Sequence, residues 1–458
     1  MGRRRRKIQE LTASVFEEEV KSSDASIAGT GRTATEQGPE STTRETQLME
    51  VILERSNMRM ALKRVLANKG GPGVDGMTVN KLPGYLRRHW TKIRGQLLDG
   101  SYRPSPLKRV EVPKPRGGVR KLGIPTVLDR LIQQACLRIL HQRWDGSFSA
   151  DSYGFRPGRH AHQAVARAKS HIQAGCDQVV EVDLERFFDR VNHDVLMSRV
   201  AKRETDKRFL RLIRAYLNAG VMQEGVVQAR GEGTPQGGPL SPILSNLLLD
   251  ELDKELEQRG HRYVRYADDV SVYVRTERAG HRVLASLTKF LGKRLRLHVN
   301  QEKSGVVARR ETKLLGFGFT GGKMLKVRLG ERSLARFKHR IRSLTRRSGG
   351  KGLAQVVSNL GVYLKGWRGY FGKVETRRVL GDLDSWIRRR LRSLIWTQQK
   401  RGRRRYDELR RRGIGKDLAA QTAGSHHGSW HLSRSPALGI AYPTRYFDAL
   451  GLPRLQVT

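Results

Sequence analysis

The chain has 458 residues, with 89 Lys and Arg against 44 Asp and Glu, for a formal net charge of +45. That length allows a substantial core and two or three domains, and the charge excludes an ordinary metabolic enzyme: a polyanion explains it, because each neutralised phosphate releases counterions. Only Cys136 and Cys176 occur, which excludes a disulfide framework and any zinc site of two Cys-x-x-Cys pairs, and suits a reducing cytoplasm.

Residues 1–46 are polar and poor in aromatics, and the composition predicts a disordered leader. Arg3-Arg4-Arg5-Arg6-Lys7 carries the charge of a secretion signal, but Glu17-Glu18-Glu19 stands where an apolar core should follow. No run is long enough to span a bilayer, so no membrane partner is expected. From Gln47 to Asn68 a helical period appears (Met49, Val51, Ile52, Met58, Leu62, Val65, Leu66) and stops at Gly70-Gly71-Pro72-Gly73. Residues 100–330 mix short β-like runs with amphipathic helices and hold the chemical motifs.

Gln178–Asp189 reads as a buried strand entering a polar turn. Asp183 sits where the apolar run ends, so its carboxylate can emerge at a strand edge; the alternative is a cap on a helix starting at Leu184. A helix is expected over Leu240–Leu249. Arg262–Tyr273 alternates like a strand and is interrupted by Asp268 and Asp269. A hairpin with Ala267-Asp268-Asp269 at its tip would expose the acids or give them a divalent cation, and such oxygen ligands suit Mg²⁺. For the pair alone, an ordinary Asp-Asp turn is the competing reading. Two-metal phosphoryl transfer needs acids from separate segments to hold cations roughly 4 Å apart, and Asp183 with Asp268 and Asp269 would supply them.

From Glu331 the pattern is helical and strongly basic, through Arg336, Arg340, Arg388-Arg389-Arg390 and Arg403-Arg404-Arg405. The tail from Ala423, richer in Gly, Pro and aromatics, reads as a small irregular cap. His426, His427 and His431 crowd together there without cysteines, and no metal site is expected of them.

The motifs, in order, resemble reverse transcriptases of the group II intron maturase family over roughly residues 50–400. Tyr102-Arg103-Pro104 through Ile124-Pro125 and Ser152–Arg159 are similar to the fingers blocks. Asp183 with Phe188 matches the first catalytic motif, Thr234–Pro242 the template-and-nucleotide loop, and Tyr266-Ala267-Asp268-Asp269 the second catalytic motif. Leu297–Lys303 and Leu314-Leu315-Gly316-Phe317 resemble the following palm and primer-grip blocks.

The resemblance implies an α+β right-hand polymerase: an N-terminal extension at 47–99, fingers and an antiparallel palm at 100–330, thumb or maturase helices at 331–400, and a basic nucleic-acid-binding segment at 401–458. It implies that Asp183, Asp268 and Asp269 are catalytic and hold two Mg²⁺. Lys114 and Arg120 would hold the triphosphate, Phe188 would be the steric gate against a ribose 2′-OH, Gln236 would touch the nucleotide, and Lys303 would lie near the leaving pyrophosphate. Tyr266, Ala267, Gly237 and Gly316 would border primer and template, and Trp367, Arg368, Tyr370, Arg388, Arg389 and Arg390 would bind RNA. An aromatic core stripe is the alternative for the Tyr363–Phe371 stretch.

The implied partners are a structured intron RNA, an RNA template, a DNA primer or target and dNTPs, with a homodimer compatible. The implied setting is the cytoplasm, with nucleoid association on DNA. The implied function is RNA-directed DNA polymerisation with assistance to intron splicing and mobility. A host-serving polymerase in repair or phage defence is the second expectation, and a non-catalytic RNA-binding splicing cofactor the third. Many relatives end in a nuclease domain with cysteine pairs; this sequence has none, so DNA cleavage is not expected. Lys121 stands where relatives commonly carry Pro.

Overall fold

The computed structural model describes residues 47–113, 118–223, 226–228, 231–234, 237–322, 324–346 and 350–456. The expected leader lies outside these residues, as do Lys114 and Gln236. The chain divides into two compact units, Met1–Val307 and Ala308–Thr458, so residues 308–330 group with the helical C-terminal part.

In the first unit the helix expected over Gln47–Asn68 is two helices, α1 (Leu48–Ile52) and α2 (Arg55–Asn68). Glu54 between them is extended (φ −55°, ψ 136°). The Asn57 amide donates to the Ile52 carbonyl at 2.7 Å and to that of Ala135 at 3.1 Å. A side chain thus satisfies a helix-end carbonyl, and the apolar period alone cannot reveal that break.

Next come α3 (Leu82–Asp99) and the antiparallel strands β1 (Leu107–Pro113) and β2 (Val119–Ile124). α4 (Val127–Trp144) starts at Thr126, whose hydroxyl accepts from the Asp129 amide, and α5 (Ala161–Gln173) starts with a His160/Gln163 capping box. β3 (Gln178–Val182), α6 (His193–Ala201) and α7 (Lys207–Asn218) follow, then β4 (Val221–Gln223) and β5 (Val226–Gln228). These last two strands extend the first sheet to the order β2-β1-β4-β5.

α8 (Ser241–Gln258) carries Pro242 in its first turn, where the missing N–H costs nothing, and runs well past the expected Leu249. β6 (Arg262–Tyr266), β7 (Asp269–Val274), α9 (Glu277–Phe290) and β8 (Gly305–Ala308) complete the unit. The second sheet has the order β6-β7-β3-β8. α5 packs on β6 and α9 on β3. Val180, Val182, Val264, Val270 and Val272 are all buried, and the five consecutive buried residues from Val270 to Val274 show that both faces of β7 are covered although its sequence alternates.

The second unit holds the antiparallel pair β9 (Phe317–Phe319) and β10 (Val327–Leu329), then α10 (Glu331–Leu344), α11 (Leu353–Phe371), α12 (Arg378–Gln398), α13 (Gly402–Arg411) and α14 (Lys416–Ala423). Phe337, Ile341, Leu360, Leu364, Ile387 and Leu391 form its core. The tail expected to be irregular runs as short helices α15 (Ser429–Leu432), α16 (Pro436–Ala441) and α17 (Thr444–Ala449). It is fastened by the Asp384 carboxylate, which accepts the Leu455 and Gln456 amides at 3.0 and 3.1 Å. Mixed sheet and helix followed by a helical C-terminal region agrees with the expected α+β class. Among the described residues no helix is long and apolar enough to cross a membrane.

Candidate active site

The β6–β7 register pairs Tyr266 with Asp269, so the hairpin tip is only Ala267-Asp268 and Asp269 already belongs to β7. Ala267 takes φ +60°, the positive first position of a two-residue hairpin turn. β3 and β7 pair through Val182 and Val270; one more antiparallel step sets Asp183 opposite Asp269. Asp183 caps no helix, because Leu184 bridges to Val299 and helical backbone begins only at Phe187.

A following segment laces onto this edge. The Asp183 amide donates to Ser304 Oγ at 2.9 Å, the Asp183 carbonyl accepts from the Asn300 amide at 2.8 Å, and the Glu185 amide donates to His298 O at 2.8 Å. Lys303 Nζ consequently lies 3.7 Å from Asp183 Oδ1. Both side chains are solvated, so the pair adds little stability.

Burial is the main cause raising the Asp268 carboxyl, with the Asp183 charge adding to it; the backbone amide, Arg120 and Arg265 oppose. Asp269 keeps solvent contact, but enclosure by protein, then the charges of Asp268, Asp183 and Glu181, push its carboxyl up to about 6. Among the described residues no three His, Cys, Asp or Glu side chains converge closely enough to hold an ion. The three carboxylates do not close on a common point, and Asp183 lies beside Lys303 instead. Their hard oxygen donors still fit Mg²⁺ in kind.

A carboxyl whose native pKa exceeds its unfolded value near 3.9 binds its proton better when folded, so it weakens the fold while ionised. Without divalent cations, Asp269→Asn is therefore expected to melt above the parent at pH 7. The gap should close as pH falls through about 6 toward 4. Thermal melts of both proteins in chelator test this; a gap independent of pH would refute it.

The support beneath the hairpin is a set of residues that sequence reasoning missed. Arg265 is 0% exposed. Its Nε and one terminal nitrogen donate to the Asp253 carboxylate at 2.7 and 2.5 Å, and the other donates to Asn246 Oδ1 at 2.9 Å and to the Ala267 carbonyl at 3.0 Å. The parallel bonds have the fork geometry of an ion pair. Asn246 also donates to the Gly154 carbonyl at 2.9 Å. A Cβ on Gly154 would collide with the Tyr266–Ala267 peptide, so glycine is required for this close approach. The available signal was an Arg inside a valine-rich strand together with Asn246 and Asp253, seven residues apart and hence on one face of α8.

Phe188 is half-buried, edge-on to Phe187 at 5.2 Å. Its carbonyl accepts from the Thr234 amide at 2.6 Å, and the Val191 carbonyl from that of Gly233 at 2.7 Å, so the 231–234 segment lies along it. Gly237 has φ +127°, and a Cβ there would stand 3.0 Å from the Gly123 carbonyl of β2. Its glycine requirement thus arises within the chain. Arg120, exposed on β2, is near enough for its charge to act on Asp268. Tyr266, half-buried, ends β6.

In the second unit Gly316 has φ +88°, and a Cβ would press on Ser333 Oγ and the Phe371 ring. Two RNA-binding expectations are corrected. Trp367 is only 8% exposed and packs 4.4 Å from Phe337 and 5.0 Å from Phe371, so it cannot stack on a base. It shares a helix face with Leu360 and Leu364, the core-stripe alternative. Arg388 is buried between Asp384 at 3.4 Å and Asp448 at 2.9 Å, which makes it a fold-closing ion pair. Tyr370 donates its hydroxyl to the Leu315 carbonyl at 3.0 Å, while Arg368 is exposed and bonds the Arg454 carbonyl at 3.0 Å. Arg389 stacks over Trp430 at 3.8 Å, and Arg390 Nε donates to Thr345 Oγ1 at 2.7 Å.

Residues 112–319 match the family described as reverse transcriptase (RNA-dependent DNA polymerase), and residues 334–413 match the group II intron maturase-specific domain. Protein YkfC of Escherichia coli (strain K12) is 38% identical over 220 residues, 46% of this chain and 58% of that protein. Group II intron-encoded protein LtrA of Lactococcus lactis subsp. cremoris is 34% identical over 221 residues, 48% of this chain and 37% of that protein. The chain thus spans less than two thirds of either relative's length. A solved chain of a partial Cas6-RT-Cas1–Cas2 complex aligns at TM-score 0.35 and 24% identity, covering 54% of this chain and 42% of its own.

Proposed function

From the premise that this chain belongs to the group II intron reverse transcriptase and maturase family, we propose that it is an RNA-directed DNA polymerase that also binds its intron RNA and assists splicing and mobility. The observation that carries the reading is Asp183 emerging one residue past β3, in register with Asp269 and beside the Asp268 tip. Like-charge crowding at Asp269 is the kind of environment that a divalent cation relieves.

Asp183, Asp268 and Asp269 would hold two Mg²⁺, whose chemistry is activation of a primer 3′-hydroxyl and stabilisation of leaving pyrophosphate. The chain's own groups do the rest. Arg120, with Lys114, grips the triphosphate as a planar fork and a point charge. Phe188 fills the space a ribose 2′-OH would need. Gln236, Gly237, Tyr266 and Ala267 border the primer–template pair, with Gly316 following it, and Lys303 carries a proton near the pyrophosphate. The region matching the reverse transcriptase family acts as fingers and palm, preceded by the 47–99 extension that holds template. The basic helices from 331 onward hold structured RNA by phosphate neutralisation. RNA template, DNA primer and dNTPs are the working partners, in the cytoplasm and at the nucleoid.

Primer extension on an RNA template with dNTPs and Mg²⁺ tests the whole; a purified protein that adds no nucleotide would defeat it. Phe188→Ala is expected to narrow the preference for dNTP over rNTP by roughly 10- to 100-fold. Single-nucleotide incorporation with paired dNTP and rNTP reads this, and an unchanged sugar preference would reject the gate.

A further inference from the structure

The second unit contains a cavity of about 320 Å³ lined by Arg342, Thr345, Trp386, Arg390, Ser393 and Trp430. It lies among α10, α12 and α15. None of its lining residues is acidic. The Arg342 and Arg390 guanidiniums stand 5.8 and 5.5 Å from the centre of the same Trp386 ring. Two cations beside one ring repel each other, and an anion between them removes that cost.

The floor is polar and fixed. Thr345 and Ser393 are 1% and 2% exposed. Thr345 Oγ1 accepts from Arg390 Nε at 2.7 Å and so orients that guanidinium. Ser393 Oγ is hydrogen-bonded to Ser429 Oγ at 3.2 Å. At the mouth, Trp430 is 36% exposed, with the Arg389 guanidinium 3.8 Å from the centre of its ring. Cations, an aromatic wall and hydroxyls are the combination that reads an unstacked nucleotide. A volume at the low end of small-ligand pockets admits one nucleotide and no duplex.

Resting on the reading of this chain as an RNA-binding polymerase, we propose that this cavity captures a single unstacked nucleotide of an RNA strand, its phosphate between Arg342 and Arg390 and its base against Trp430. The pocket thereby selects a bulged or single-stranded feature of the RNA, whereas the surrounding basic surface binds any phosphate backbone.

The test titrates the full chain with a hexa-adenylate RNA, a blunt RNA duplex, AMP and inorganic phosphate, following tryptophan fluorescence and affinity. The expected result is quenching by hexa-adenylate but not by duplex. Arg342→Ala and Trp430→Ala should each weaken hexa-adenylate binding about tenfold, and Arg342→Ala should lower the salt slope by about 1. Arg342→Lys and Trp430→Phe should recover part of the loss, which a misfolded variant would not do. Wild-type affinity in both alanine variants would overturn the proposal. So would competition by inorganic phosphate as effective as that by AMP, or quenching by AMP without any by hexa-adenylate. Primer extension by the unaltered chain is assayed separately: its failure would count against the polymerase reading, whereas normal extension with indifferent pocket variants would count against the pocket alone.

Discussion

Asp268→Ala is expected to lower primer extension by at least about a thousandfold while leaving RNA affinity within about twofold of the parent. The side chain sits at the tip of a two-residue turn, and its carboxyl is raised chiefly by burial. Removing it deletes a charge that the fold holds at a cost, so the melting temperature should stay level or rise. RNA affinity would come from basic surface distributed over both units, far more charge than one acid can offset. Single-turnover extension beside filter binding, on the same preparation, separates the two quantities. If extension and affinity fell together, Asp268 would be a structural acid and the assignment wrong.

Arg265→Met is expected to cost about 3–5 kcal/mol, because it leaves the Asp253 carboxylate buried and unpaired. At roughly 2–4 °C per kcal/mol for a domain of this order of size, melting should drop by about 10 °C. Asp253→Leu alone should be comparably harmful. The double variant should regain part of the loss, since no charge is left unpaired, while the Asn246 amide oxygen and the Ala267 carbonyl still lose their donor. Arg265→Lys keeps the charge but not the fork that reaches Asp253, Asn246 and the Ala267 carbonyl together. It should therefore lose less stability than activity, with extension falling on the order of a hundredfold as the hairpin tip drifts. Scanning calorimetry and extension assays decide this. An Arg265→Met protein that melts with the parent would show that something else holds the hairpin.

The hairpin was readable because its two acids interrupt a run that otherwise alternates like a strand, and Asp183 because the apolar run stops in front of it. Each signal is local. What stayed hidden depends on residues far apart in sequence. Arg265 looked like one more cation in a chain with 89 of them, and only the fold shows Asp253 and Asn246 facing it across α8. The same excess of arginine made Arg388 look like RNA-binding surface, whereas the helix turns it toward Asp384 and Asp448. Trp367 sat in a stretch where the 3.6-residue period and the aromatic–cation interleaving gave opposite answers, and packing against Phe337 decided for the core. The Gln47–Asn68 helix breaks at a point that hydrophobic spacing cannot mark, where the Asn57 amide takes the Ile52 carbonyl that the helix end leaves over. Gly154 and Gly237 carried no sequence signal of their obstacles, each of which is a backbone segment from elsewhere in the chain.

Ala267 occupies a left-handed turn position that glycine would fill without steric penalty. The methyl group costs on the order of 1 kcal/mol there, yet Arg265 grips its carbonyl and Gly154 lies under its amide, so the residue has no competing shape to relax into. Glycine would let the tip wander among mirror-image conformers; alanine denies it that freedom. The turn therefore behaves as a rigid mount, and in the proposed polymerase its two acids would meet each arriving nucleotide at a bearing set before encounter.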